Sequence, residues 1–173
     1  MKEGIKNNTM AIRQIRLYPD EILRKRSREV EKIDPKIIEL LGDMLDTMYE
    51  QNGVGLSAVQ VGVLKRVVVI DIYDGNPPLK LINPVILKTK GNQECEEGCL
   101  SFPNQYAKVN RPEHVTFEAL DETGKKITIK AKGLLAQAIC HELDHLDGKL
   151  FVDIMEPGTL EYVNPNKPND ENN

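Results

Sequence analysis

The chain has little that would suit it to a membrane or to nucleic acid. Its main uncharged stretch, residues 53–64, is too short to span a bilayer and carries Ser57 and Gln60. The start, MKEGIKNNTM, lacks the apolar run of a secretory signal. Positive charge is not in excess: 23 Lys plus Arg stand against 27 Asp plus Glu, for a formal net charge of −4. A broad basic face for gripping nucleic acid is therefore not expected. Three cysteines, an odd number, make no disulfide framework. In a reducing compartment they are free thiols, metal ligands or catalytic groups. The expectations are a cytoplasmic address, no membrane and no direct nucleic-acid binding. Internal repeats, a glycine-rich phosphate loop and a regular βαβ rhythm are also missing.

What is present suits one folded unit. The 173 residues are 40% hydrophobic and 29% charged, a globular profile long enough to bury a core. Residues 1–11 read as a flexible leader, 12–163 as a single catalytic domain, and the Asn- and Pro-rich 164–173 as a disordered polar tail. Asp34-Pro35 is a capping acid followed by proline at a first helical position. Ile37, Ile38, Leu41, Met44, Leu45 and Met48 then recur at helical spacing, predicting a helix over about 35–51. Residues 67–72, VVVIDI, read as a buried strand, and 79–90 as a strand broken or edged at Pro84. Residues 115–120 and 126–131 flank Asp121-Glu122-Thr123-Gly124, a hairpin. A second helix runs from Leu134 to about Leu146, stopped by Gly148. Mixed helices and strands without βαβ repetition give the α+β class.

His141-Glu142-Leu143-Asp144-His145 carries the chemistry. Residues four apart on a helix share a face, with Cβ atoms about 5–6 Å apart, so both imidazoles can reach one metal ion. Glu142 falls beside the ion, where a carboxylate can take a proton from activated water. The bland alternatives are two ordinary helix histidines or a closed structural metal site. The third ligand is open on the residues alone. Phe151 stands where HExxHxxG would need another His, and a thermolysin-like solution would take a downstream Glu, with Glu156 and Glu161 the candidates so near the end of the chain. Cys140 points about 100° away from its neighbour His141 and reads as a small buried hydrophobe. His114 reads as a surface residue. Cys95 and Cys99 are both candidates, and spacing does not choose between them.

Three segments together resemble the peptide deformylase family. They are Gly53-Val54-Gly55-Leu56-Ser57-Ala58-Val59-Gln60, Glu97-Gly98-Cys99-Leu100-Ser101 and the histidine motif, in the family's order and at its separations. Pro19-Asp20, Leu23-Arg24 and Gly148-Lys149-Leu150-Phe151 also fit, so the likeness covers roughly 12–155. It implies antiparallel or mixed β-sheets packed around a central metal-binding helix. It implies hydrolysis of the formyl group from the formyl-methionine of new polypeptides, with Cys99, His141 and His145 on one ion. The implied ion is Fe2+, with Zn2+, Ni2+ or Co2+ able to replace it. Softness of the ligands by itself points to zinc. The implied partners are N-formyl-methionyl nascent peptides, with transient ribosome contact. The tail lacks the long C-terminal helix by which some members dock there.

The remaining assignments follow from this frame. Glu142 acts as base and then acid while activated water attacks the formyl carbon. Gln60 and the main-chain N–H of Leu100 serve the oxyanion. Gly55 and Gly98 are contacts for an extended peptide, and Val54, Leu134 and Ala138 are candidates for an apolar methionine pocket that Cys95 could also line. Glu97 and Asp144 read as supporting acids, one orienting a His ring or the ligand loop, with Arg24 or Arg111 as counter-ion for Asp144. Two positions depart from the family's usual form. Tyr106 stands where many members have Arg. Ser57 stands where Ala is common, and brings a hydroxyl that needs a partner if buried.

Overall fold

The structure is a computed structural model and describes residues 11–167. The expected leader, apart from Ala11, and the expected tail beyond Lys167 lie outside the described residues. Residues 165–167 form an exposed turn.

Helix α1, Pro35–Glu50, begins as its sequence requires. The Asp34 side chain accepts from the Ile37 N–H at 3.0 Å, and Pro35 occupies the first turn, where its missing N–H costs nothing. Its stripe of Ile37, Leu40, Leu41, Met44 and Met48 is buried against Leu56, Val67, Val69 and Ile82. Each such side chain contributes about 1.5–3 kcal/mol on burial.

Eight strands follow: β1 Gly55–Ser57, β2 Val67–Ile70, β3 Leu79–Lys90, β4 Gln93–Cys99, β5 Phe102–Arg111, β6 His114–Leu120, β7 Lys126–Lys132 and β8 Glu161–Tyr162. They form a five-stranded sheet in the order β1-β2-β3-β6-β7 and a three-stranded sheet in the order β4-β5-β8. All the paired strands are antiparallel. The expected hairpin is β6–β7. Strand β3 is not edged by its proline but is the middle strand of its sheet. Its register shifts between Ile82 and Val85, so Pro84 sits in a bulge where no ladder N–H is needed. The amide of Asn83 (φ 50°) instead bonds both the N–H and the carbonyl of Val30, at 2.8 and 2.9 Å. The 3-10 turn Phe151–Asp153 and β8 occupy the stretch after the second helix, where the sequence offered no clear period.

Helix α2, Leu134–Leu146, is buried almost all round, as a central helix must be. Ala136, Ile139, Leu143 and Leu146 pack on Val68, Leu81, Phe117 and Ala131 of the larger sheet. The smaller sheet supplies a separate cluster of Phe102, Ala107 and Val109 with Leu23 and Phe151. The Phe151 ring comes within 6.2 Å of the His141 ring, centroid to centroid. At the C-terminal end of α2, Arg66 Nη1 donates to the Leu146 carbonyl at 3.2 Å and to Asp147 Oδ1 at 3.0 Å, so a cation meets the helix's negative end. Gly148 follows at φ +73°, and a Cβ there would lie 2.3 Å from the Arg24 carbonyl oxygen. No described helix is long and apolar enough to cross a membrane.

Candidate metal centre

His141 and His145 lie one helical turn apart on α2, and their Nε2 atoms are 3.1 Å from each other. Cys99, at the end of β4, brings Sγ to 3.3 Å from His145 Nε2. The three donor atoms all lie within 4.8 Å of one another. Ligand bonds of about 2.0–2.3 Å at a tetrahedral centre set donors roughly 3.3–3.7 Å apart, close to the separations found. This donor set fits a soft or borderline divalent ion.

The electrostatics fit the same group. Burial works against a charge on either ring. His145 is held well below its ordinary pKa by burial and by His141, which leaves a lone pair free to ligate. On His141 the contacts with Cys99 and Glu97 outweigh burial and raise the pKa well above its ordinary value.

Glu97, on β4, accepts from His141 Nδ1, which points Nε2 at the other two donors. The same carboxylate accepts from Arg111 Nε at 3.1 Å and Nη2 at 2.6 Å. Burial alone would raise Glu97, but the bonds from His141 and Arg111 bring it down to about 2. Arg111 also donates Nη1 to Asp144 at 2.7 Å. One buried cation thus faces two carboxylates, leaving a net negative charge beside His141. Arg24 is not the partner of Asp144: it pairs with Asp153 at 2.5 and 3.0 Å.

Glu142 is 4% exposed. It lines a cleft of about 950 Å³ together with Cys99 and His141, and burial raises its pKa. Gln60, on the 3-10 turn Ala58–Val61, is buried at the same wall. Its Oε1 accepts from the Ser57 N–H at 2.9 Å, which turns Nε2 toward Ser101 Oγ at 3.1 Å and Cys99 Sγ at 3.5 Å. Leu100 follows Cys99 in the same lining.

The cleft also takes in Val54, Gly55, Gly98, Leu134 and Ala138. Gly55 is on β1 and Gly98 on β4, each the outer strand of its own sheet. A Cβ on Gly55 would come within 2.6 Å of Glu142 Oε1, and one on Gly98 within 2.7 Å of the Tyr106 ring. Leu134 is half exposed at the rim, while Ala138 is buried one turn before His141. Cys95 does not line the cleft as expected. Four residues before Cys99, it faces inward on β4 and packs with Leu23, Phe102 and Phe151. Cys140 is in the core of the larger sheet and His114 is exposed at the start of β6.

Sequence reasoning missed the link between Glu97 and Arg111 and the role of Ser101. Neither carries a local signal, because the partners are 14 and 41 residues apart.

Comparison with known proteins gives a consistent picture. The family model described as polypeptide deformylase matches residues 12–160. A peptide deformylase of Caldicellulosiruptor bescii is 56% identical over 144 residues, covering 83% of this chain and 86% of the relative. Peptide deformylase 2 of Clostridium acetobutylicum is 56% identical over 155 residues, covering 89% and 99%. Among solved structures, a peptide deformylase from Legionella pneumophila superposes with a TM-score of 0.82 at 49% identity, covering 85% of this chain and 88% of that one. One from Synechococcus elongatus in complex with actinonin gives 0.83 at 42% identity, covering 87% and 84%.

Proposed function

The chain belongs to the polypeptide deformylase family, and from that membership we propose that Cys99, His141 and His145 hold one ferrous ion per chain, replaceable by zinc, nickel or cobalt. The reaction is hydrolytic removal of the N-formyl group from the formyl-methionine of new polypeptides, with release of formate. The observation that carries the site assignment is the convergence of one thiol and two imidazoles within 4.8 Å, beside a buried carboxylate on the wall of a single cleft.

The bound ion supplies Lewis acidity, lowering the pKa of water from about 15.7 toward roughly 7 and polarising a carbonyl. The protein's own groups do the rest. Glu142 takes a proton from the attacking water, and its burial-raised pKa suits it to give one back to the departing amine. Gln60 Nε2 and the Leu100 N–H donate to the formyl oxygen as it gains charge. Loss of one such donor typically costs about 3–4 kcal/mol of barrier. The peptide lies between the outer strands β1 and β4, along Gly55 and Gly98, like an added strand. Val54, Leu134 and Ala138 receive the methionine side chain. The substrate is a nascent chain, and on that ground the proposal includes a cytoplasmic address and transient ribosome contact.

The competing reading is a metallopeptidase that cuts internal peptide bonds. Anaerobically purified, iron-loaded protein is expected to release formate from formyl-Met-Ala and to leave an unformylated peptide intact. Cleavage of the unformylated peptide without formate release would overturn the proposal.

A further inference from the structure

Ser57 closes β1 with no exposed surface. Its hydroxyl lies 2.7 Å from Oε2 of Glu142 and 2.9 Å from that residue's main-chain oxygen. A hydroxyl has one hydrogen to give, and an ionised carboxylate is the stronger acceptor. Oε1 of Glu142 makes no hydrogen bond among the described residues and lies beside Gly55, in the cleft. The two carboxylate oxygens are therefore not equivalent. One is tied to β1 and the other faces the place where substrate must sit.

We propose that Ser57 is a positioning residue for Glu142, its hydroxyl fixing the rotation of the carboxylate so that Oε2 stays anchored and Oε1 presents to the cleft. The inference rests on the family reaction and on Glu142 as its proton carrier. The last torsion of a glutamate is soft and roughly two-fold, so an untethered carboxylate samples many rotations. A tether confines it to the one in which Oε1 can exchange a proton with water and with the leaving amine. The effect belongs to the chemical step, because Ser57 is buried behind Glu142 and does not line the cleft. The main-chain N–H of the same residue holds Gln60 Oε1, so one short strand sets the direction of both the carboxylate and the amide. Replacing the side chain removes only the first of these.

The test uses full-length, iron-loaded protein and formyl-Met-Ala, in four forms: unaltered, Ser57→Ala, Glu142→Ala and the double variant. Ser57→Ala is expected to keep its metal and its KM within about twofold while kcat falls about tenfold or more, the signature of an interaction used in the transition state. In the Glu142→Ala background the same change is expected to alter the residual rate less than about twofold, since the group it acts through is gone. A kcat unchanged in Ser57→Ala overturns the inference. So does an equal loss in both backgrounds, which would make Ser57 a packing residue. If the unaltered protein releases no formate, the family reaction fails and the inference with it. Formate release with either of the other two outcomes sinks the inference alone.

Discussion

Arg111 and Glu97 meet through two hydrogen bonds, at 2.6 and 3.1 Å, with both side chains buried. The pair ties β5 to β4, and the third guanidinium nitrogen reaches Asp144 on α2 at 2.7 Å. The strand bearing Cys99 and the helix bearing both histidines are thus braced by one cation. Arg111→Met keeps much of the volume but leaves two carboxylates without their counter-ion. It is expected to destabilise the metal-free fold by about 3–5 kcal/mol, read from urea midpoints. A midpoint shift worth under about 1 kcal/mol would show the network to be dispensable for stability.

Gly55 is needed for space and not for a special backbone conformation. A Cβ at that position would sit 2.6 Å from Oε1 and 3.0 Å from Cδ of Glu142. The carboxylate would have to move, and a displacement near 1 Å at a catalytic group costs on the order of a hundredfold. Gly55→Ala should therefore lower kcat/KM by about that factor while metal content and melting temperature hold. Full activity in this variant would show that the cleft wall yields without disturbing Glu142.

Both helices and the β6–β7 hairpin were legible because each combines a local period with a local start, stop or turn signal: Asp34-Pro35, Gly148, and Asp121-Glu122-Thr123-Gly124. The histidine motif was legible because its meaning is contained within one helical turn. Strands β4 and β5 were not. On β4 the inward positions include Cys95 and Glu97, and on β5 they include Ala107, Val109 and Arg111. A buried Glu and a buried Arg erase the apolar alternation that announces a strand, and each is explained only by the other. The choice of Cys99 over Cys95 was hidden for a related reason. Strict alternation puts both on one face, but the register shifts between Gly98 and Cys99 and re-aims the second thiol. Ser57 was noticed as a hydroxyl needing a partner, and that partner is 85 residues away.

Acid should dissolve the same brace in a defined range. Glu97 is brought from an ordinary 4.5 to about 2, burial opposing and the bonds from His141 and Arg111 prevailing. A carboxylate depressed by folding contributes stability above its unfolded pKa and loses it as pH falls through the folded one. For metal-free protein, the stability gap between the unaltered chain and Glu97→Gln should be flat above about pH 5.5. It should then narrow from about pH 4.5 toward 2. Urea unfolding at pH 6 and pH 3.5 measures this, and a gap of equal size at both values would show that folding does not depress the Glu97 pKa.

The three thiols should report the metal directly. Burial pushes Cys140 up to about 11 despite nearby Arg111, with Asp144 and Glu97 adding to the effect, so its thiol stays protonated at pH 8. Burial also raises Cys95, which is packed beneath Phe102. Cys99 alone lines the cleft. Alkylating agents react with thiolate and need access. Metal-free protein at pH 8 is therefore expected to take up one equivalent of iodoacetamide, at Cys99, and reconstitution with zinc before treatment should block it. Cys99→Ser should take up none under either condition and should bind zinc far more weakly. Intact mass and peptide mapping read the first result and metal quantitation the second. Labelling at Cys95, or labelling of Cys99 that added metal does not slow, would remove Cys99 from the ligand set and return the third position to an open question.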